Sequence, residues 1–569
     1  MSKLLKNSKL IILFIFIFAF VLRFWNIEKI PPSLNWDEIS HGYNAYSILK
    51  TAKDEWGEFM PLIFRAYGDY KLPVYIYFTA PSIAVFGLNE LGVRFVSILF
   101  GSLAVLFTYF LSKEIFKDKK NKEFIAILAT FFVAIEPWTF FISRGAFEAN
   151  LAFSFVVLGI LLFFKSFQNA LFLSFSFFFL SLSTWTYNSA RVFVPPILVF
   201  MFLIYRKNLI YISKTEKSKF FISVAILVFM IIPMFVQLIT PVGQARYSKV
   251  SIIDEGAINE INELRRVSEY PDFIDRILYN KGTYLVWRFA QNLLSHFEVS
   301  YLFTNGGSHY QFSVPGYGLL NKANIVFFYL GLVFVIFSKL KNKYLIIFWL
   351  ISGAFASSLT RESPHVLRSV TMLPVPMIIT SYGLVSSYFF LKEKLILFKK
   401  YKVVFVVFYI LTFWTFAEEY LRNYFSQYAL RYSQAWQYGY KQALDYVKRN
   451  YSNYDRIVFT KKYGEPHMFV LFYLKWDPAK YIQDQNLNRF FQSNWWWVDG
   501  FDKFVFVNDW QINEKIESNI FVTESKKEID CSLVKCLLFS SHEIGAVNWN
   551  KIDQIKFLDG SVAFEIYEN

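Results

Sequence analysis

The run Leu34-Asn35-Trp36-Asp37-Glu38 sets two adjacent carboxylates just after Pro31-Pro32, one short turn beyond a long apolar stretch. Neighbouring side chains point in different directions, so such a pair need not share a proton. One carboxylate can face a substrate as a general base while the other supports the structure. A plainer use is equally sound: Asp37 capping a helix expected over 38–49. Farther on stands Tyr67-Gly68-Asp69-Tyr70-Lys71-Leu72-Pro73. Lys71 can hold an anionic head group as a point charge, or simply extend its stem along apolar surface with its ammonium in water. In Glu136-Pro137-Trp138-Thr139-Phe140-Phe141-Ile142-Ser143-Arg144-Gly145-Ala146-Phe147-Glu148, Arg144 and Glu148 are four apart and on a helix would share a face and pair. Thr360-Arg361-Glu362-Ser363-Pro364-His365-Val366-Leu367-Arg368 gathers two arginines and a histidine. That set suits a phosphate, to which Arg presents a planar donor fork; it suits anchoring at a membrane boundary as well.

Other chemistries find little support. The six histidines show no metal-ligand spacing. Asp37, Glu38 and His41 could converge on a divalent cation, but nothing in their spacing requires one. No phosphate-cradling glycine loop and no nucleophile elbow occurs, which weighs against nucleotide-driven transport and acyl-serine chemistry. The two cysteines, Cys531 and Cys536, could bridge or stay as thiols.

These side chains must be held by elements, and the composition says which kind. Of 569 residues 55% are hydrophobic and 18% charged, against roughly 45–50% and about 25% in soluble domains. The apolar residues come in blocks such as 10–22, 124–135 and 220–233, too continuous for amphipathic helices. This is the pattern of a polytopic membrane protein. Spans of about 20 apolar residues are expected at 8–25, 91–112, 124–141, 149–165, 170–187, 191–205, 220–239, 322–338, 344–360, 370–391 and 402–417, about eleven in all. The net charge of +15 collects in alternate connections: Lys3, Lys6 and Lys9; 113–122; Lys165; 206–219; 339–343; and 392–402. The positive-inside rule makes that side cytoplasmic, with no call for nucleic acid. The first span is read as retained, since no small-residue cleavage site follows it. The N-terminus is then cytoplasmic and the C-terminus extracytoplasmic. Exterior loops are expected at about 26–90 and 241–321. The fold class is thus mainly α, with a transmembrane domain over 1–417 and an extracytoplasmic α/β domain over 418–569. In that tail 456–460 and 504–507 read as strands, 434–449 as a helix, and Tyr463-Gly464-Glu465-Pro466 and Asp499-Gly500 as turns.

An inside N-terminus, an Asp-Glu pair just after the first span and a long first exterior loop resemble the C-type membrane glycosyltransferases. Within them the chain is most similar to glycosyltransferase family 39, the protein O-mannosyltransferase and aminoarabinose-transferase group with its bacterial relatives. The matching residues are Asp37-Glu38, Lys71-Leu72-Pro73, Phe86-Gly87-Leu88 through Arg94, Pro137-Trp138, Ser143-Arg144, Glu148, Pro364-His365 and Arg368. The resemblance spans roughly residues 1–420. It implies transfer of a sugar from a polyprenyl-phosphate donor to a protein, glycolipid or cell-wall glycan at the outer face of the plasma membrane. Carried over residue by residue, Asp37 is the base and Glu38 its catalytic neighbour. Lys71, Arg144, His365 and Arg368 bind the donor phosphate, and Glu148 and Asp69 orient substrate. The alternative is a transporter or a flippase for a lipid-linked sugar. It would favour mid-span charges and two similar halves, whereas here the notable charges fall in connections.

Overall fold

The computed structural model describes residues 7–569, apart from the side chains of Arg246, Ser248, Glu514 and Lys515. Lys3 and Lys6, counted above among the lysines of one side, lie outside the described residues. The chain forms two compact units that alternate along the sequence. The first comprises Met1–Trp25, Ser97–Ser143 and Phe147–Leu421; the second comprises Asn26–Val96, Arg144–Ala146 and Arg422–Asn569.

The first unit is built of helices, and the apolar blocks expected to span are helical, some of them broken. The expected count of eleven is not confirmed among the described residues. Among the described residues four helices can cross a membrane by length and composition: Glu90–Ile115, Glu148–Ser166, Lys217–Leu238 and Val370–Lys394. A fifth is added if Asn188–Ile204 and Arg206–Thr215, bent by 80°, count as one span. The reason is local. Pro137 lacks an N–H and splits 124–141 into Lys122–Ile135 and Pro137–Ile142. Block 344–360 divides into Lys343–Ser352 and Phe355–Ser358, and 170–187 shortens to Leu171–Thr184. Lys217–Leu238 leaves Phe221, Phe229 and Val236 bare, as a helix does whose solvent is hydrocarbon. Elsewhere packing is tight. Ile325–Phe337 crosses Val375–Lys394 at Gly331 and Gly383. A Cβ on Gly383 would lie 1.9 Å from the Phe327 carbonyl oxygen, so only glycine allows the two backbones to approach so closely.

The second unit carries the sheet. Its strands are β1 (Phe64–Ala66), β2 (Asp69–Lys71), β3 (Arg456–Thr460), β4 (Asn488–Gln492), β5 (Trp495–Phe501), β6 (Phe504–Val507), β7 (Ile520–Val522), β8 (Glu528–Asp530), β9 (Cys536–Ser540), β10 (Asn550–Lys556) and β11 (Val562–Glu568). Seven of them form one mixed sheet in the order β10-β11-β9-β3-β6-β5-β4. β3 runs parallel to both β6 and β9, and β1 pairs with β2 as a hairpin. The unit also holds α1 (Trp36–Thr51), α2 (Pro73–Phe86), α3 (Tyr440–Asn450), α4 (Pro466–Tyr473) and α5 (Pro478–Ile482). The tail is the α/β fold expected of it, and both anticipated strands are present as β3 and β6. Two local expectations fail. The helix expected at 434–449 starts only at Tyr440, because Gln437 and Gly439 take positive φ and end a short turn before it. Asp499-Gly500 is no turn. Asn488 pairs with Gly500 and Arg489 with Val498, which leaves Asp499 as the extra residue of a bulge inside β5. Cys531 and Cys536 form a disulfide.

Candidate active site

The second unit brings Asp37, Glu38, Asp69, Lys71 and Arg144 into one body. α1 starts at Trp36, and its cap is Asn35, not Asp37. The Asn35 side chain accepts the Glu38 N–H at 3.0 Å, and Glu38 Oε2 accepts the Asn35 N–H at 3.1 Å, a reciprocal capping box. Capping is therefore complete without Asp37. Its side chain is 47% exposed and lies 2.5 Å from Lys71 Nζ, whose own side chain is 13% exposed. Lys71 is the last residue of β2, so the β1–β2 hairpin delivers the ammonium to the carboxylate. Asp69 opens the same strand and accepts the Tyr70 N–H at 2.7 Å.

Glu38 faces the other way. It is buried and takes two bonds of 2.9 Å from Arg94, Nε to Oε1 and Nη2 to Oε2, with a third at 2.8 Å from the Ala146 N–H. Arg94 also donates to the carbonyls of Ile27, Pro31 and Ser33. This planar fork ties the start of α1 to the chain before it and supports Asp37 from behind. Arg144 is fully buried, donating to the Ile30 carbonyl at 2.7 Å and to the Tyr424 hydroxyl at 3.0 Å. It sits in the turn before helix Glu148–Ser166, so the helical spacing that suggested an Arg144–Glu148 pair does not apply.

In the first unit Glu148 begins that helix, while His365 and Arg368 come together in the 360–368 turn. His365 Nδ1 accepts the Arg368 backbone N–H at 3.3 Å. The Arg368 guanidinium, largely buried, reaches the Thr360 hydroxyl and the Glu362 carboxylate, each at 3.0 Å. Asp37, Glu38 and His41 do not form a shared ligand set. Among the described residues no group of three or more His, Cys, Asp or Glu could hold a metal ion. Sequence reasoning missed Glu136, buried at a helix break, whose carboxylate accepts the Asn321 N–H at 2.5 Å and an Asn324 N–H at 2.6 Å. An acid inside an apolar run is a signal that could have found it. Tyr424, the partner of Arg144, carries no such signal.

Comparison with known proteins follows the same lines. Residues 13–241 match the family described as dolichyl-phosphate-mannose-protein mannosyltransferase. No curated protein matches the sequence. Among solved structures, ArnT from Cupriavidus metallidurans bound to undecaprenyl phosphate superposes with a TM-score of 0.52 at 9% identity, over 98% of this chain and 97% of that one. Its likeness shows the fold. The oligosaccharyltransferase of Archaeoglobus fulgidus, tethered with an acceptor peptide, gives 0.49 at 14% identity over 82% of this chain. The chain spans 63% of that protein's length. Over residues 13–241 the chain thus matches the dolichyl-phosphate-mannose-protein mannosyltransferases, and the resemblance to glycosyltransferase family 39 holds.

Proposed function

We propose that this protein is a membrane glycosyltransferase that moves a sugar from a polyprenyl-phosphate carrier to an acceptor hydroxyl, with Asp37 as general base and inversion at the anomeric carbon. The observation that carries this reading is the half-exposed Asp37 carboxylate, released from capping by Asn35 and Glu38 and faced by the Lys71 ammonium. As the acceptor oxygen bonds to the anomeric carbon, its proton passes to Asp37. The bond from that carbon to the phosphate oxygen breaks, and its electron pair leaves with the polyprenyl phosphate. A phosphate leaving group needs positive charge rather than a general acid. Lys71 is the cation nearest the base among the residues described above, and Arg144, His365 and Arg368 are further candidates for the phosphate. Glu38 holds the base in place, while Glu148 and Asp69 orient substrate. Attack from the face opposite the leaving group inverts the carbon, by the same logic that governs inverting glycosidases. The undecaprenyl phosphate named with the ArnT neighbour is in keeping with such a donor. The reading sets the protein in the plasma membrane, N-terminus cytoplasmic and tail extracytoplasmic.

The test is release of free polyprenyl phosphate from polyprenyl-phosphate sugars by the purified protein. Asp37→Asn should lower the rate by roughly 10²–10⁴-fold while keeping the thermal midpoint. Wild-type turnover in Asp37→Asn would overturn the assignment of the base.

A further inference from the structure

The β4–β5 hairpin carries three consecutive tryptophans, none of them fully buried. Its two-residue turn, Ser493-Asn494, has positive φ at both positions, the geometry that matches the strand twist. Alternation then fixes the faces. Trp496 lies opposite Phe491 and turns to one side, where its ring meets Trp56 at 5.2 Å and the Arg65 guanidinium at 5.2 Å. Trp495 and Trp497 turn to the other side, ring centres 6.0 Å apart, with Phe490 paired to Trp497.

On that second side the aromatic row continues. Trp495 stacks on Tyr67 at 5.9 Å and 11°, and Tyr67 meets Trp36 at 6.4 Å. Trp36 is the residue immediately before Asp37. The row is pinned at each step: the Trp496 N–H donates to the Tyr67 carbonyl at 2.7 Å, and the Tyr67 hydroxyl donates to the Trp36 carbonyl at 2.7 Å. The indole N–H groups are engaged by the protein. Trp495 Nε1 donates to the buried Glu465 carboxyl at 2.5 Å and Trp497 Nε1 to the Gln492 carbonyl at 3.3 Å. A tryptophan anchoring a protein at a lipid surface keeps its N–H toward the wet headgroup layer. Here the N–H edges are turned to protein and the rings are half-buried, Trp495 lying against Tyr67 and Trp497 under the Lys461 ammonium at 5.2 Å, which leaves one face of each ring for a ligand to stack on. The tip beyond them, Gln492-Ser493-Asn494, is polar and exposed.

We propose that Trp495 and Trp497 form a stacking platform for a saccharide acceptor, tied through the buried Tyr67 to Trp36, the residue before Asp37. One face of a pyranose presents polarised C–H bonds that fit the negative face of an indole, while its hydroxyls, directed outward around the ring, suit the amide and hydroxyl groups of the tip. Rings held by their N–H groups lose little entropy on binding. This rests on the transferase reading above and narrows the acceptor to a glycan.

The probes are mannotriose and chitotriose, followed by saturation-transfer NMR on the purified full-length protein without donor. Wild type and Asp37→Asn should give transfer to sugar C–H protons. Trp497→Ala should weaken that signal at least tenfold, Trp497→Phe should keep most of it, and Trp495→Phe serves as a second variant that retains a ring. In donor turnover Trp497→Ala should raise the acceptor KM with kcat little changed. If neither trisaccharide binds the wild type, the platform is refuted; if a serine peptide is still glycosylated in an Asp37-dependent manner, the transferase reading survives it. If Trp497→Ala binds sugar normally but loses affinity for liposomes of anionic lipid, the hairpin is a membrane contact and the proposal falls.

Discussion

At the scale of single residues, Asp37 and Glu38 divide the labour the sequence allowed them. Glu38 is the structural partner: buried, forked to Arg94, and a member of the capping box. Removing one partner of a buried ion pair leaves the other charge stranded, at a cost of roughly 3–5 kcal/mol. Glu38→Ala should therefore lower the thermal midpoint markedly in detergent, and it should lose turnover through misplacement of Asp37 rather than through loss of a reacting group. The reverse pattern is expected for Asp37→Asn. The adjacency of the two acids was legible in the sequence. Which one faces solvent was not, because that is decided by Arg94 and by the Ala146 N–H, 108 positions from Glu38.

At the scale of elements, α1 owes its position to close contact with α4. A Cβ at Gly42 would come within 2.6 Å of both the Phe472 ring and the Val93 side chain. Gly42→Ala should thus overpack the contact and destabilise by about 1–3 kcal/mol; a stabilised variant, measured by thermal unfolding, would show the interface to be looser than drawn. The elements were legible where one signal ruled. β3 and β6 are short apolar runs that bury most of their residues, and they appear as expected. Reading failed where two signals competed. Asp499-Gly500 has turn composition but sits in a strand whose neighbour β4 absorbs the extra residue. Apolar blocks proved longer than their helices where Pro137 interrupts them. Hydrophobicity reports what is sheltered from water, not where hydrogen bonding stops.

At the scale of the whole molecule, Glu55 and Glu465 are buried acids of the second unit whose cost its stability must carry. Burial raises Glu55 to about 7 against the pull of Arg489 and Asn44. It raises Glu465 to about 7 as well, with Trp495 and Lys461 opposing. A carboxyl whose folded value lies above its unfolded 4.5 binds more protons when folded, so stability declines as pH rises between about 4.5 and 7. The protein should accordingly melt higher at pH 5 than at pH 8. Glu55→Gln should narrow that difference by raising the midpoint at pH 8 and leaving it unchanged at pH 5. A midpoint that rises with pH across this window would show that other groups dominate.

The Trp36 N–H is accepted by the Gln437 side chain, 401 positions away. A ribosome finishes the first loop long before it makes the tail that completes it. During that interval the nascent loop has only its own hairpin and helices, so its final burial must be among the last events of biogenesis. A chain halted near residue 421 would leave the candidate base on an unfinished support, exposed to proteolysis on its side of the bilayer.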